Sequence, residues 1–211
     1  MAKILVSIPN QMWIHKFVSA VTNKILLDGK HESKIIYPTH KPYENNLHHI
    51  ILDFLEGDYD FWLNIDADNP PINNPLDLVY MDKDILGFPT PVLHIAKKGE
   101  RPVYWNAYDY IPEEDGYREH HQKAGIQQVD AIGTGCFLIA RRVFEHPALQ
   151  KGAFTRKLYS NGTVNKGNDI SFCERAREAG FTIWAHYDYP CRHFKEVELV
   201  EVTQAFGEIN G

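Results

Sequence analysis

Apolar positions in the first 65 residues switch between two periods. Ile4 to Ile8 is a short β-branched and aliphatic run ending at Pro9-Asn10, which predicts a buried strand running into a loop. From Met12 to Leu27 the apolar residues Ile14, Phe17, Val18, Val21 and Ile25 recur at helical spacing, and Asp28-Gly29 stops the helix. Lys34 to Tyr37 predicts a second strand, broken by Pro38 and Pro42. Asn45 to Leu55 repeats the helical period through Leu47, Ile50, Ile51, Phe54 and Leu55 and ends at Gly57. Tyr59 to Ile65 predicts a third strand that runs directly into Asp66-Ala67-Asp68-Asn69-Pro70-Pro71. Strand, helix, strand, helix, strand is the pattern of a parallel α/β sheet. In such sheets ligands bind beyond the carboxyl ends of the strands, and Asp66 and Asp68 fall at one of them.

The pattern loosens after residue 90. Asp84 to Phe88 predicts a strand closed by Pro89 and Pro91. Residues 94 to 128 are polar and mixed, with Tyr104, Trp105, Tyr108 and Tyr110 close together. Val129 to Ile132 and Cys136 to Ala140 predict two extended pieces around Gly133-Thr134-Gly135. Asn168 to Ala179 predicts a helix with Asn168 at its cap and Gly180 beyond its last turn. Phe181 to Ala185 predicts a closing strand. The segment from about Ile95 to Gln128 is long and weakly periodic, so it is expected to be mobile and to flank an acceptor.

Composition narrows the function classes. The 211 residues suit one domain, and 44% hydrophobic with 24% charged residues are ordinary globular values. A formal charge of -6, with no basic run, argues against a nucleic-acid partner. A phosphorylated ligand would then need positive charge from a bound metal. Cys136, Cys173 and Cys191 fit neither a disulfide framework nor a zinc pattern, and they are read as reduced thiols in a cytosolic protein. The N-terminal apolar run is too short for a signal peptide. No segment approaches ~18 uninterrupted apolar residues, so no membrane span is expected.

Three places can carry chemistry. On an extended strand end, positions two apart face the same way, so Asp66 and Asp68 are expected to reach one ion. Mg²⁺ and Mn²⁺ take carboxylate oxygens and complete their shell with phosphate. The plainer alternative is a turn in which the two Asp side chains cap backbone amides. Asp169 lies in the first turn of a predicted helix, where the dipole favours an ionised carboxylate able to accept a proton. An ordinary first-turn Asp is the competing reading. His193, in Tyr189-Pro190-Cys191-Arg192-His193-Phe194, is a possible Mn²⁺ ligand, though the chain has 11 histidines.

The order of these motifs resembles a known family. A strand into Asp-x-Asp is followed by Gly-Thr-Gly before a small apolar strand. Asp-x-x-Phe-Cys-x-Arg-Ala-x-x-Ala-Gly-Phe and then Cys-x-His complete the series. This is similar to the nucleotide-diphospho-sugar glycosyltransferases of the GT-A fold, in particular the short versions of bacteriophages and large algal viruses. The resemblance spans roughly residues 3 to 194. It implies one α/β domain with a mixed, mostly parallel Rossmann-like sheet over residues 1–211. Residues 1–90 would form the nucleotide-binding half and 91–211 the acceptor and catalytic half.

The resemblance also implies roles. Asp68 would bind Mn²⁺ or Mg²⁺ directly, Asp66 would contact the metal's water shell or the ribose, and His193 would be the third protein ligand. Asp169 would be the base of an inverting transfer from a nucleotide sugar, with a UDP-sugar favoured, to a glycan or other hydroxyl acceptor. Pro9, Asn10 and Thr39 would line the nucleoside pocket, Asn45 or Asn46 would lie near the nucleotide, and Gly133, Thr134 and Gly135 would shape the sugar pocket. Arg192 stands where relatives often carry Gly and would instead contact the diphosphate. The usual Glu-Asp before the catalytic helix is Asn168-Asp169 here. A viral origin would place the protein in the host cytoplasm, acting in viral or surface glycan synthesis. A retaining transferase of the same fold and a non-catalytic nucleotide- or carbohydrate-binding module are the alternatives. A sugar nucleotidyltransferase is disfavoured, because Ser7 to Met12 lacks that class's glycine-rich, basic loop.

Overall fold

A computed structural model describes residues 1–10, 12–93 and 103–196. Its centre is a seven-stranded sheet in the order β2-β1-β3-β11-β4-β14-β9. The strands are β1 (Lys3–Ser7), β2 (Glu32–Ile36), β3 (Phe61–Ile65), β4 (Ile85–Gly87), β9 (Ile126–Val129), β11 (Cys136–Ala140) and β14 (Ile183–His186). Pairings β1/β2, β1/β3 and β4/β14 are parallel, whereas β11 runs against both β3 and β4, and β9 against β14. Five strands therefore share one direction and two are reversed. The result is the mixed α/β, Rossmann-like sheet that the motif order implies.

Smaller sheets sit beside it. β5 (Pro91–Leu93) pairs with β6 (Val103–Trp105), and β7 (Ala107–Ile111) lies between β8 (Gly116–Glu119) and β10 (Ala131–Ile132). β12 (Lys157–Leu158) pairs with β13 (Val164–Lys166). The helices are α1 (Lys16–Asp28), α2 (Tyr43–Glu56), the short α3 (Arg141–Glu145) and α4 (Pro147–Gln150), and α5 (Asn168–Glu178). No helix among the described residues is long and apolar enough to cross a membrane.

Both faces of the central sheet are covered, which is why its strands read as nearly continuous apolar runs. Leu5, Trp62, Phe137 and Ile139 face α2, α3 and α5, packing with Leu47, Ile50, Phe54, Phe144 and Phe172. Ile4, Val6, Leu63, Ile65 and Leu138 face the other way, toward Val18 and Ile25 of α1. The Arg141 guanidinium closes the end of α2 by donating to the carbonyls of Phe54, Leu55, Gly57 and Tyr59. Gly29, at φ 64°, ends α1 where the sequence places its stop.

Three expectations are corrected. α1 begins at Lys16 rather than Met12, because the His15 amide donates to the Ala67 carbonyl at 2.8 Å and holds residues 12–15 off the helix. The cap of α5 is Gly167, with Asn168 one position inside the helix. Most of the stretch expected to be loop, 103–128, is strand: β6, β7, β8 and the start of β9. Its periodicity is weak because the pieces are short and half-exposed. The remainder of that expectation, 95–102, lies outside the described residues.

Candidate functional site

The site is built on a run of polar groups that starts inside the core. Trp62 Nε1 donates to Ser7 Oγ at 2.7 Å, and Ser7 Oγ donates to Asn64 Oδ1 at 2.8 Å. The amide of Asn64 then donates to Asp66 Oδ1 at 3.1 Å and to the Thr134 carbonyl at 3.0 Å. Tyr43 Oη, at the start of α2, donates to the same Asp66 oxygen at 2.7 Å. Burial pushes the Asp66 carboxyl up to about 7, and the hydrogen bonds from Tyr43 and Asn64 only partly oppose it.

Asp66 and Asp68 do not share partners. The chain turns at this point, with the Asn69 amide donating to the Asp66 carbonyl at 3.1 Å, so the extended geometry expected of the pair is absent. Asp68 instead faces the C-terminal segment. Its Oδ2 lies 3.5 Å from His193 Nε2 and accepts from Lys195 Nζ at 2.9 Å. Burial alone would raise Asp68, but the hydrogen bonds from His193 and Lys195 outweigh it and hold the carboxyl below its ordinary range. His193 Nδ1 stands 2.7 Å from the Pro91 carbonyl. A carbonyl can only accept, so Nδ1 donates there, and the ring is held with Nε2 toward Asp68. Metal-ligating histidines are oriented in this way.

Asp68 opens into a cleft of about 550 Å³, lined by Trp13, His15, Phe194, Lys195 and Glu196. His15 and Phe194 stack with ring centroids 3.7 Å apart, and Trp13 is exposed. The segment displaced from α1 thus forms one wall of the cleft.

The other expected residues distribute as follows. The Asn10 amide and Asn46 Nδ2 both donate to the Pro38 carbonyl, at 3.2 and 3.1 Å, tying together the loops that leave β1 and β2. Pro9 is buried and Thr39 exposed in these same loops. Asn45 is exposed and bonds the Lys41 carbonyl, whereas Asn46 is buried. A Cβ on Gly133 would stand 2.4 Å from Asn106 Nδ2, and one on Gly135 would stand 3.2 Å from Asn69. Their missing side chains therefore let backbone approach protein. The Arg192 guanidinium lies over the Phe17 ring, 5.1 Å from its centroid, beside a separate cleft of about 160 Å³.

Asp169 occupies a different setting. Its Oδ1 accepts from the Ile170 amide at 2.8 Å, and burial raises its carboxyl above the ordinary value despite that bond and the nearby Arg156. The expectation that the helix start keeps it readily ionised is reversed in direction: desolvation exceeds the dipole. Arg156 pairs with Glu44, which follows Tyr43 at the start of α2. Tyr43 thus holds Asp66 while its neighbour Glu44 meets the arginine that faces Asp169.

Several residues of this arrangement escaped the sequence reading: Tyr43, Asn64, Lys195, and the wall of Trp13, His15 and Phe194. Asn64 left a signal, being the one polar residue inside an apolar strand. A second group able to hold a metal, Asp109, His120 and His121, lies on the small β10-β7-β8 sheet. All three cysteines are free and buried.

No family model matches the chain, and no curated protein does. Among solved structures, A197 from STIV is similar over 93% of this chain and 87% of that one, with 16% identity and a TM-score of 0.58. A UDP-glucose pyrophosphorylase complexed with UDP-glucose is similar over 98% and 97%, with 10% identity and a TM-score of 0.50. A glycosyltransferase involved in the glycosylation of the major capsid of PBCV-1 aligns over 99% of both chains at 10% identity. Its TM-score of 0.38 is too low to argue from. The first two likenesses show a Rossmann-like mixed α/β fold.

Proposed function

We propose that this chain is a metal-dependent glycosyltransferase that takes a nucleotide sugar, preferably a UDP-sugar, and transfers the sugar with inversion to a hydroxyl acceptor. The observation that carries the reading is the Asp68 corner. A carboxylate held ionised stands 3.5 Å from an imidazole nitrogen, with the other ring nitrogen anchored on a backbone carbonyl; an ion would take the place of the proton between them. Two atoms at that separation can both ligate one ion at about 2.1 Å. One carboxylate and one imidazole, with water and phosphate oxygens filling the remaining positions, would make an oxygen-rich set suited to Mn²⁺, with Mg²⁺ second. Asp66, nearby but committed to Tyr43 and Asn64, would act on the ion's water shell or on the ribose.

When bound, the cation neutralises charge on a departing nucleoside diphosphate. Lys195 now pairs with Asp68, and its exposed side chain can release that carboxylate and turn to the diphosphate. The aromatic wall of His15, Phe194 and Trp13 offers flat surface for a nucleobase. Asp169 accepts the acceptor hydroxyl's proton, and burial, which raises its affinity for protons, favours that step. Asn10, Thr39, Asn46 and Gly133 to Gly135 would frame the nucleotide and sugar. Arg192, stacked on Phe17, would reach a phosphate only by leaving that ring.

A nucleotidyltransferase, which the pyrophosphorylase neighbour invites, lacks support at the β1 loop. Ser7 to Met12 carries no cation. Incubation with UDP-sugars and Mn²⁺ separates the readings. Release of UDP that stops in EDTA and returns with Mn²⁺ or Mg²⁺ supports the transferase. Full activity in chelator sinks the metal requirement. Formation of UTP on adding pyrophosphate would move the chain to the nucleotidyltransferases, and binding without turnover would leave a non-catalytic module.

A further inference from the structure

A second cation-binding arrangement lies away from Asp68, on the small sheet. Asp109 is in β7, and His120 and His121 directly follow β8. Neighbouring residues on a strand face opposite ways. Both imidazoles reach one carboxylate because the chain leaves the strand after Glu119 and bends at His121. His120 Nδ1 stands 2.7 and 2.9 Å from the two Asp109 oxygens, and one ligand atom from each of the three residues lies within 4.8 Å of the others.

The His120 ring is held in place by its surroundings. It is 7% exposed, and its Nε2 is buried without a hydrogen-bond partner. Its polar contact is at Nδ1, which faces both Asp109 oxygens. His121 is exposed, so the cluster is open to solvent on one side and an ion has an entry path.

We propose that Asp109, His120 and His121 bind one Zn²⁺-class transition ion, separate from the ion assigned to Asp68. Two imidazoles and one carboxylate suit zinc, whereas Mg²⁺ and Mn²⁺ favour oxygen-rich sets. Tetrahedral zinc ligands at their usual bond lengths stand about 3.3 Å apart, a spacing this cluster reaches by small side-chain shifts. Water fills the fourth position. The ion clamps β8 to β7, and β10, which pairs with β7, runs straight into Gly133-Thr134-Gly135. The bound metal therefore steadies the strand that delivers that loop.

The test is a Co²⁺ titration of metal-free protein, followed by visible absorption, with Zn²⁺ displacement and a melting curve. Wild type should take up one equivalent with a strong tetrahedral spectrum, lose that spectrum to Zn²⁺, and melt at a higher temperature with Zn²⁺. His121→Ala and Asp109→Asn should weaken uptake by at least about 10-fold, the scale seen for lost support around a metal. His121→Cys, which restores a ligand, should recover it. Asp68→Ala should keep the spectrum, which distinguishes this ion from the one proposed for the donor. An absent or octahedral spectrum in the wild type, or unchanged uptake by a folded His121→Ala protein, would overturn the proposal.

Discussion

Asp68 and Asp169 look alike in sequence, yet the fold treats them in opposite ways. Asp68 is surrounded by cationic or proton-bearing partners, Lys195 and His193, and is held ionised. Asp169 is half-buried beside Tyr108, Cys173 and the first turn of α5; the Ile170 amide and Arg156 favour its charge, but desolvation outweighs them and its proton affinity rises. The first setting suits holding a cation and the second suits taking a proton. Desolvation acts on both carboxylates; the partners that each element supplies decide which way the balance falls.

The sharpest way to break this comparison is Asp68→Ala. It should weaken Mn²⁺ binding by more than ~10²-fold and abolish metal-dependent donor binding, measured by calorimetry, while the fold survives. Unchanged Mn²⁺ affinity would remove Asp68 from the metal site. Asp169→Asn should lower turnover by roughly 10²-fold or more while leaving donor and metal affinity nearly intact. Product NMR should show an anomeric configuration opposite to the donor's. Retention, or normal turnover in the variant, would reassign the residue.

Two smaller effects sharpen the picture. A Cβ at position 133 collides with Asn106, so Gly133→Ala should lose about 1–3 kcal/mol in denaturant melts. A variant as stable as the wild type would show that the loop relaxes freely. The smallest effect concerns Asp66. Its carboxyl rises from 3.8 to about 7, so between those pH values the folded state holds a proton that the unfolded chain has lost. Metal-free stability should therefore decline as pH rises through that window. Asp66→Asn, which can still accept from Tyr43 and Asn64, should flatten the decline. An equal slope in both proteins would place the titration elsewhere.

Apolar periods and the Asp28-Gly29 stop were enough for the first three strands, the two helices apart from the start of α1, and the placement of Asp66 just after β3. Local contacts set those features, and short-range spacing records them. The pairing of β11 between β3 and β4 was not written in any local pattern, because register between distant strands depends on which faces remain to be covered. The same holds for the site. Asp68 meets His193 and Lys195, 125 and 127 residues away, only because the C-terminal segment crosses the turn after β3. His120 and His121 appeared as two polar residues in an unpatterned stretch until β7 and β8 brought them to Asp109. Residue types and strand ends are properties of the chain; the partners that set each carboxylate's charge are long-range contacts, which only the folded arrangement supplies.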